Sequence, residues 1–287
     1  MNNSEILIIG ANGQVATALR ERYPNARATA SSELDITDSA AVASFDWSDV
    51  KVIINAAAYT NVDGAETAEG RMAAWKVNAT GVANLAAAAR THDLTIVHIS
   101  SEYVFDGTRE HLEDEPLSPL SVYGASKAAG DIAAASVNKQ YIVRTSWVIG
   151  EGKNFVRIML SLAEKGIRPS VVSDQTGRLT FTSTLVDAID RLLTSGAARG
   201  TYNVSNDGPV VSWADVAARV YELSGKSASD VTPVTTNEYF KDKPEAAKRP
   251  LNSTLDLTKI KSAGYSPTDW QHDLEAYIKQ EQSSSQS

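Results

Sequence analysis

The 287-residue sequence contains no cysteine, which excludes disulfides, thiolate catalysis and every cysteine-ligated zinc site. Histidine is scarce as well. His92, His98, His111 and His272 are the full set, and none of them form the i, i+4 pair that a helical metal centre favours, so no metal site is expected. No run approaches the length of apolar sequence needed to span a bilayer, and no membrane partner is expected. The opening MNNSEILIIG has no basic stretch and no cleavable apolar segment, so a signal peptide is not expected and the cytoplasm is the expected location. Basic residues are in deficit, 27 Lys and Arg against 35 Asp and Glu, for a formal charge of −8. Such a chain lacks the basic stripe that a phosphate backbone needs, which argues against nucleic acid as partner. What is abundant is core material: 43% hydrophobic residues are too many for a disordered chain. The length suits about two domains or one larger α/β unit.

Short apolar runs alternate with helical patterns through the first half. Ile6–Ile9, 52–54, 95–99 and 141–143 read as strands buried on both faces; Gln14–Arg22, 39–45, 66–90 (with a break) and 123–137 read as helices rich in Ala. This alternation predicts an α/β fold, a Rossmann-type doubly wound parallel sheet with right-handed crossovers. Beyond about residue 150 the rhythm loosens. Helices at 155–165, 184–195, 212–224 and 270–280 and a strand at 201–204 suggest a smaller C-terminal lobe that binds substrate, and the last seven residues, EQSSSQS, read as a frayed tail. The expected division is a nucleotide-binding domain over 1–150 plus roughly 170–198, and a substrate lobe over 151–169 and 199–287.

The first strand runs into Gly10-Ala-Asn-Gly13-Gln-Val-Ala16 and then a helix. Gly10 suits the tight turn, Gly13 lets the backbone approach a pyrophosphate, Ala16 still permits close helix–strand packing, and the helix N-terminus faces the anion. A glycine pattern alone can be only a turn; its place between first strand and first helix points to a dinucleotide. Around Arg27-Ala-Thr-Ala-Ser-Ser32 nothing acidic would repel a 2′-phosphate before Glu33, which favours NADPH over NADH and leaves NADH open. Asp35 and Ile36 would then lie near the adenine; Asp38 reads equally well as a cap for the next helix.

Tyr123-Gly-Ala-Ser-Lys127 opens an Ala-rich helix, and i, i+4 spacing sets both side chains on one face. A phenol titrates near 10, and a neighbouring ammonium favours the phenolate, bringing it toward the working range of a proton donor. A second such pair, Tyr239 and Lys243, lies in a polar stretch before Pro244 with no helix to carry it, and is assigned no role. The strand at 95–99 ends in Ser100-Ser101-Glu102, at the carboxyl edge where parallel sheets build their sites, so Ser101 can hydrogen-bond the same carbonyl oxygen as Tyr123.

These features resemble the extended short-chain dehydrogenase/reductase superfamily. Longer segments sharpen the likeness: Asn55-Ala-Ala-Ala-Tyr-Thr60, Tyr103-Val-Phe-Asp-Gly107, Ser118-Pro-Leu-Ser-Val-Tyr-Gly124, Arg144-Thr-Ser-Trp147, Asp174-Gln175 and Arg249-Pro-Leu-Asn-Ser253. In this order they resemble the dTDP-4-dehydrorhamnose reductase family over about residues 5 to 280. The resemblance implies an NADPH-dependent oxidoreductase that reduces the C4 ketone of dTDP-4-dehydro-β-L-rhamnose, with a small-molecule dTDP-sugar as substrate and rhamnose for a cell wall polysaccharide as the end. Whether the chain works alone or in functional pairing with a 3,5-epimerase stays open. Tyr123 would donate the proton, Lys127 would be its electrostatic partner, and Ser101 would stand where the family usually has Thr. Gly10, Asn12, Gly13, Gln14 and Val15 would cradle the pyrophosphate, Asp35 and Ile36 would touch the adenine, and Ala56, Ala57 and Tyr59 would line the cofactor channel. Glu102, Tyr103 and Trp147 would face the sugar, with Arg249 on the diphosphate, for which a guanidinium is suited. A core aromatic is the alternative for Trp147, and a surface ion pair for Arg249.

Three departures stand out: Ser101 for Thr, Glu102 for Asp, and Leu179 for Pro in the segment after Asp174-Gln175. Some family members dimerise around Mg²⁺ held by acids, one of them four positions after the loop Gln; Ala18 stands there, so no ion-bridged dimer is expected. Two alternative readings remain open. A non-catalytic NADP-binding subunit, like the regulatory subunit of methionine adenosyltransferase, is disfavoured by the complete Ser101, Tyr123, Lys127 set. A nucleotide-sugar epimerase or dehydratase is disfavoured because Tyr103, not a second acid, follows Glu102.

Overall fold

The computed structural model describes residues 2–284. Six parallel strands form the central sheet. β1 (Ile6–Ile9), β2 (Arg27–Thr29), β3 (Val52–Asn55), β4 (Thr95–Ser101) and β5 (Gln140–Thr145) are joined by the strand Gly200–Asn203, in the spatial order β2, β1, β3, β4, β5 and Gly200–Asn203. The order reverses between β1 and β3, the switch point where open α/β sheets bind ligands at the carboxyl ends of their strands. β1 and β3 are buried along their full length, and all their residues are apolar except Asn55 at the carboxyl end of β3.

α1 (Gln14–Arg22), α2 (Ser39–Ser44), α3 (Ala68–Trp75), α4 (Val82–Thr91) and α5 (Val122–Ala135) follow the strands in turn. The break expected within 66–90 is a π-helical stretch, Lys76–Gly81, between α3 and α4. Asp38 caps α2, its carboxylate accepting from the Ala40 and Ala41 amides.

α6 (Phe155–Glu164), α7 (Thr182–Thr194) and α8 (Trp213–Leu223) complete the main helices with the C-terminal Trp270–Ser284. Two cores divide them. Leu185, Ile189 and Leu192 of α7 pack with Ile6, Ile8, Val52 and Tyr141 beneath the sheet. Val156 and Met159 of α6, Val216 and Val220 of α8, and Trp270 and Leu274 form a second core that also takes in Val171, Leu179 and Phe181. Residues 170–198, expected with the sheet, are therefore split between the cores. The strand expected at 201–204 in the C-terminal lobe is Gly200–Asn203 and pairs with β5 in the central sheet. The tail expected to fray from 281 is helical to Ser284; the rest of it lies outside the described residues. Among the described residues no helix is long and apolar enough to cross a membrane.

Candidate active site

The loop between β1 and α1 combines two different glycines. Gly10 has φ +89°, and a Cβ on it would stand 2.7 Å from the Ala57 nitrogen, so the fold itself demands glycine there. Gly13 has φ −83° and ψ 158°, open to any residue, and the nearest chain atom to a Cβ would be the Gly10 oxygen at 3.5 Å. Gly13 caps α1 without a side chain, leaving the first-turn amides uncovered, and Gly13, Gln14 and Val15 line a cavity of about 1110 Å³. This backbone cradle at a positive helix end fits a pyrophosphate.

On the same cavity lie Ser101, Glu102, Tyr103, Tyr123 and Lys127. Ser101 is the last residue of β4; its hydroxyl accepts from the Tyr103 amide at 3.2 Å and donates to Glu102 Oε2 at 2.8 Å. Ser121 caps α5 through the Gly124 amide, and Glu66 accepts from the Val122 amide. Gly124 lets α5 press against the turn after β4, since a Cβ there would lie 2.2 Å from the Tyr103 oxygen. Tyr123 is thereby brought beside Ser101, edge-on to the Tyr103 ring at 5.4 Å. Asn78, carried by the π-helical stretch, ties the loop after β3 to α5. Its side chain accepts from the Tyr59 amide at 2.8 Å and donates to the Tyr59 oxygen at 3.1 Å and the Ser126 hydroxyl at 3.0 Å.

The charge states differ from the expected ones. Burial, and then the Glu102 carboxylate, push the Tyr123 phenol up rather than down. The Lys127 ammonium donates to the Ile99 oxygen at 2.7 Å, and burial brings it down to about 8. Glu102 is pushed up to about 7 by burial, against hydrogen bonds from Ser101 and Ser253.

Asn12, Ala56, Trp147 and Arg249 also line the cavity. Trp147 has φ +46°, a strained backbone for a bulky residue, and stacks on Trp213 at 3.7 Å. Arg249 lines the cavity and pairs with Asp63 at 2.8 Å, its guanidinium over the Phe240 ring. Gly10 and Ala57 sit beneath the cradle against each other, and the Tyr59 hydroxyl lies beside Gly64 and Gly70. Asp35 and Ile36 are not on the cavity wall: Ile36 is in the hydrophobic core, and Asp35 accepts from the Thr37 amide. Arg27 begins β2 and lies over the Phe45 ring, so it is at the wrong end of the strand to meet a 2′-phosphate. Glu33 folds back onto the Ala30 amide at 2.8 Å, placing an acid nearer the end of β2 than its sequence position suggested. Arg20 shares a smaller cavity with Asn12, Ala30 and Glu33.

Sequence reasoning missed the far wall. Phe155, Trp213, Tyr239 and Phe240 line the cavity, and the Tyr239–Lys243 stretch begins in a one-turn helix, Thr236–Tyr239, with the Lys243 ammonium over the Tyr239 ring. The aromatic pair Tyr239-Phe240 in a polar stretch was the available signal.

The profile of the RmlD substrate binding domain family matches residues 4–283. The chain is 40% identical to the dTDP-4-dehydrorhamnose reductase of Aggregatibacter actinomycetemcomitans, over 94% of this chain and 97% of that protein. It is 36% identical to the spore coat polysaccharide biosynthesis protein SpsK of Bacillus subtilis, over 98% and 99%. The crystal structure of the dTDP-4-dehydrorhamnose reductase from Bacillus anthracis in complex with NADP superposes with a TM-score of 0.88 at 34% identity, over 96% of this chain and 98% of that one. With a glycine cradle, a Ser–Tyr–Lys wall and relatives matched nearly end to end, the chain belongs to the RmlD family of dTDP-4-dehydrorhamnose reductases.

Proposed function

We propose that the chain reduces the C4 ketone of dTDP-4-dehydro-β-L-rhamnose to dTDP-β-L-rhamnose with NADPH. The observation that carries this is the convergence of Ser101, Tyr123 and Lys127 on one cavity shared with the glycine cradle. The related Bacillus anthracis enzyme holds NADP, and the cradle of Gly13, Gln14 and Val15 is where this chain would hold its pyrophosphate. NADPH supplies the hydride for C4. As the ketone oxygen gains negative charge, Tyr123 gives it the phenolic proton, and the high pKa that burial imposes keeps that proton in place until then. Lys127 stabilises the phenolate left behind, and the Ser101 hydroxyl anchors the same oxygen. Trp147, Tyr103 and Glu102 border the sugar, and Arg249 reads the diphosphate. NADH remains an alternative hydride source, given Glu33 at the end of β2. We place the reaction in the cytoplasm, after a 3,5-epimerase that supplies the L-configured ketone.

The test follows loss of the reduced-nicotinamide absorbance with NADPH and the ketone generated in place from dTDP-glucose by a dehydratase and a 3,5-epimerase. Tyr123→Phe is expected to lose about 10²–10⁴-fold in turnover while still binding NADPH. Binding of NADPH without turnover in the unmodified enzyme would overturn the reading.

A further inference from the structure

α5 carries more than a Tyr–Lys pair. Tyr123, Lys127 and Asp131 follow one another at intervals of four along the same helical stripe, and all three are buried. A buried carboxylate one turn below a buried ammonium needs an explanation, because each charge is costly to keep out of water. Asp131 is held from its far side by β5: Arg144 Nε donates to its Oδ2 at 2.9 Å, and Arg144 is itself fixed by donating to the Glu113 oxygen. The other oxygen, Oδ1, faces His98 Nε2 at 3.8 Å, with the Ser100 hydroxyl beside it. Titratable and charged groups surround Lys127 on three elements. On α5 they are Tyr123 and Asp131; on β4, His98; behind Asp131 on β5, Arg144; and beyond Tyr123, Glu102. His98 is held neutral by burial and by the Lys127 charge, and its Nδ1 meets the Asn55 amide at 3.1 Å. Among the described residues, Asp131 is therefore the anion placed to favour the charged form of Lys127.

We propose that Asp131 is a positioning residue for the reduction, an internal counter-charge that keeps Lys127 protonated so that the lysine can stabilise the Tyr123 phenolate. Arg144 completes an alternating row, Lys127, Asp131, Arg144, that runs from the reacting end of α5 to β5. Arg144 favours the ionised form of Asp131 and opposes the burial that pushes its pKa up. Without Asp131, desolvation alone acts on Lys127, which already titrates at about 8, and the lysine loses its proton within the working pH range. This rests on Tyr123 and Lys127 acting as assigned above.

The test is the pH dependence of kcat in Asp131→Asn. Its alkaline limb is expected to move down by about one pH unit or more, so that activity falls about tenfold at pH 9 and less than twofold at pH 6. Asp131→Glu, which keeps the charge, restores most of the high-pH activity. Should Asp131→Asn not fold, the double variant Asp131→Asn/Arg144→Met also removes the guanidinium that Asp131 holds, so that of the row Lys127 alone stays charged, and it carries an expected shift of the same sign. Independently of turnover, NMR of enzyme isotope-labelled at the lysine ε-carbon reads the titration of Lys127 directly, its resonance assigned by loss in Lys127→Arg. The titration is expected to move down with the limb. Activity lowered equally at every pH, with the Lys127 titration unmoved, would reduce Asp131 to a structural brace and overturn the proposal. If the unmodified enzyme fails to reduce the dTDP-ketone, the functional assignment fails, while the Lys127 titration still decides whether Asp131 holds its charge.

Discussion

At the scale of single residues, Glu102 shows how far burial governs chemistry in this site. Its carboxyl lies beside the Ser101 and Tyr123 hydroxyls and titrates at about 7 instead of the ordinary 4.5. A carboxyl whose pKa is raised by folding binds its proton more tightly in the native state, so its contribution favours folding at low pH. That advantage is lost as pH rises from about 4.5 through about 7. Glu102→Gln, which mimics the protonated form, is expected to be more stable than the unmodified protein by up to about 3 kcal/mol at pH 8 and nearly equal to it at pH 4. Thermal denaturation at the two pH values checks this; the same difference at both would mean that Glu102 stays ionised throughout. Glu102 was singled out from sequence only through the family resemblance, which sets it against the sugar. Its charge state was not legible there, because desolvation comes from the walls that close over it.

At the scale of elements, the β1–loop–α1 unit separates what the fold needs from what a ligand needs. Gly10→Ala forces a side chain into a left-handed backbone and toward the Ala57 nitrogen, and is expected to cost roughly 1–3 kcal/mol in stability. Gly13→Ala meets no chain atom closer than 3.5 Å and should leave the melting temperature nearly unchanged while weakening NADPH binding about tenfold or more. Melting curves and NADPH titrations of the two variants check the contrast. Loss of stability in Gly13→Ala with normal NADPH affinity would contradict the cradle. The turn at Gly10 could be read before the fold was known because strand, turn and helix are contiguous in sequence. The π-helical stretch Lys76–Gly81 could not, since its register serves the grip of Asn78 on Tyr59 and Ser126, which are remote in sequence.

At the scale of the whole molecule, the cavity runs between the sheet and the second core. NADPH is assigned to the first wall and the sugar nucleotide to the second. Trp213 belongs only to the second, stacked on Trp147 and tilted against Phe155 at 4.5 Å. Trp213→Ala is therefore expected to keep the thermal stabilisation given by NADPH and to lose most of that given by dTDP. A ligand at a hundred times its Kd adds about 2.7 kcal/mol, an effect readily resolved in melting curves. Equal loss of both stabilisations would mean that the two walls are not separate binding surfaces.

The sequence by itself determined the parallel α/β architecture, the glycine loop on the first strand, and the Tyr123–Lys127 pair. Each depends on periodicity or spacing within a few residues, which local geometry translates directly into structure. The tertiary structure alone decided where charges and rings meet: Lys127 with the Ile99 oxygen, Arg144 with Asp131, Arg249 with Asp63 across 186 positions, and Trp147 on Trp213. It also set Ile36 in a hydrophobic core and placed Gly200–Asn203 in the central sheet. The physical reason is common to all of these. Desolvation, ion pairing and ring stacking are properties of a closed volume, and the residues enclosing that volume are brought together only when the two cores fold around it.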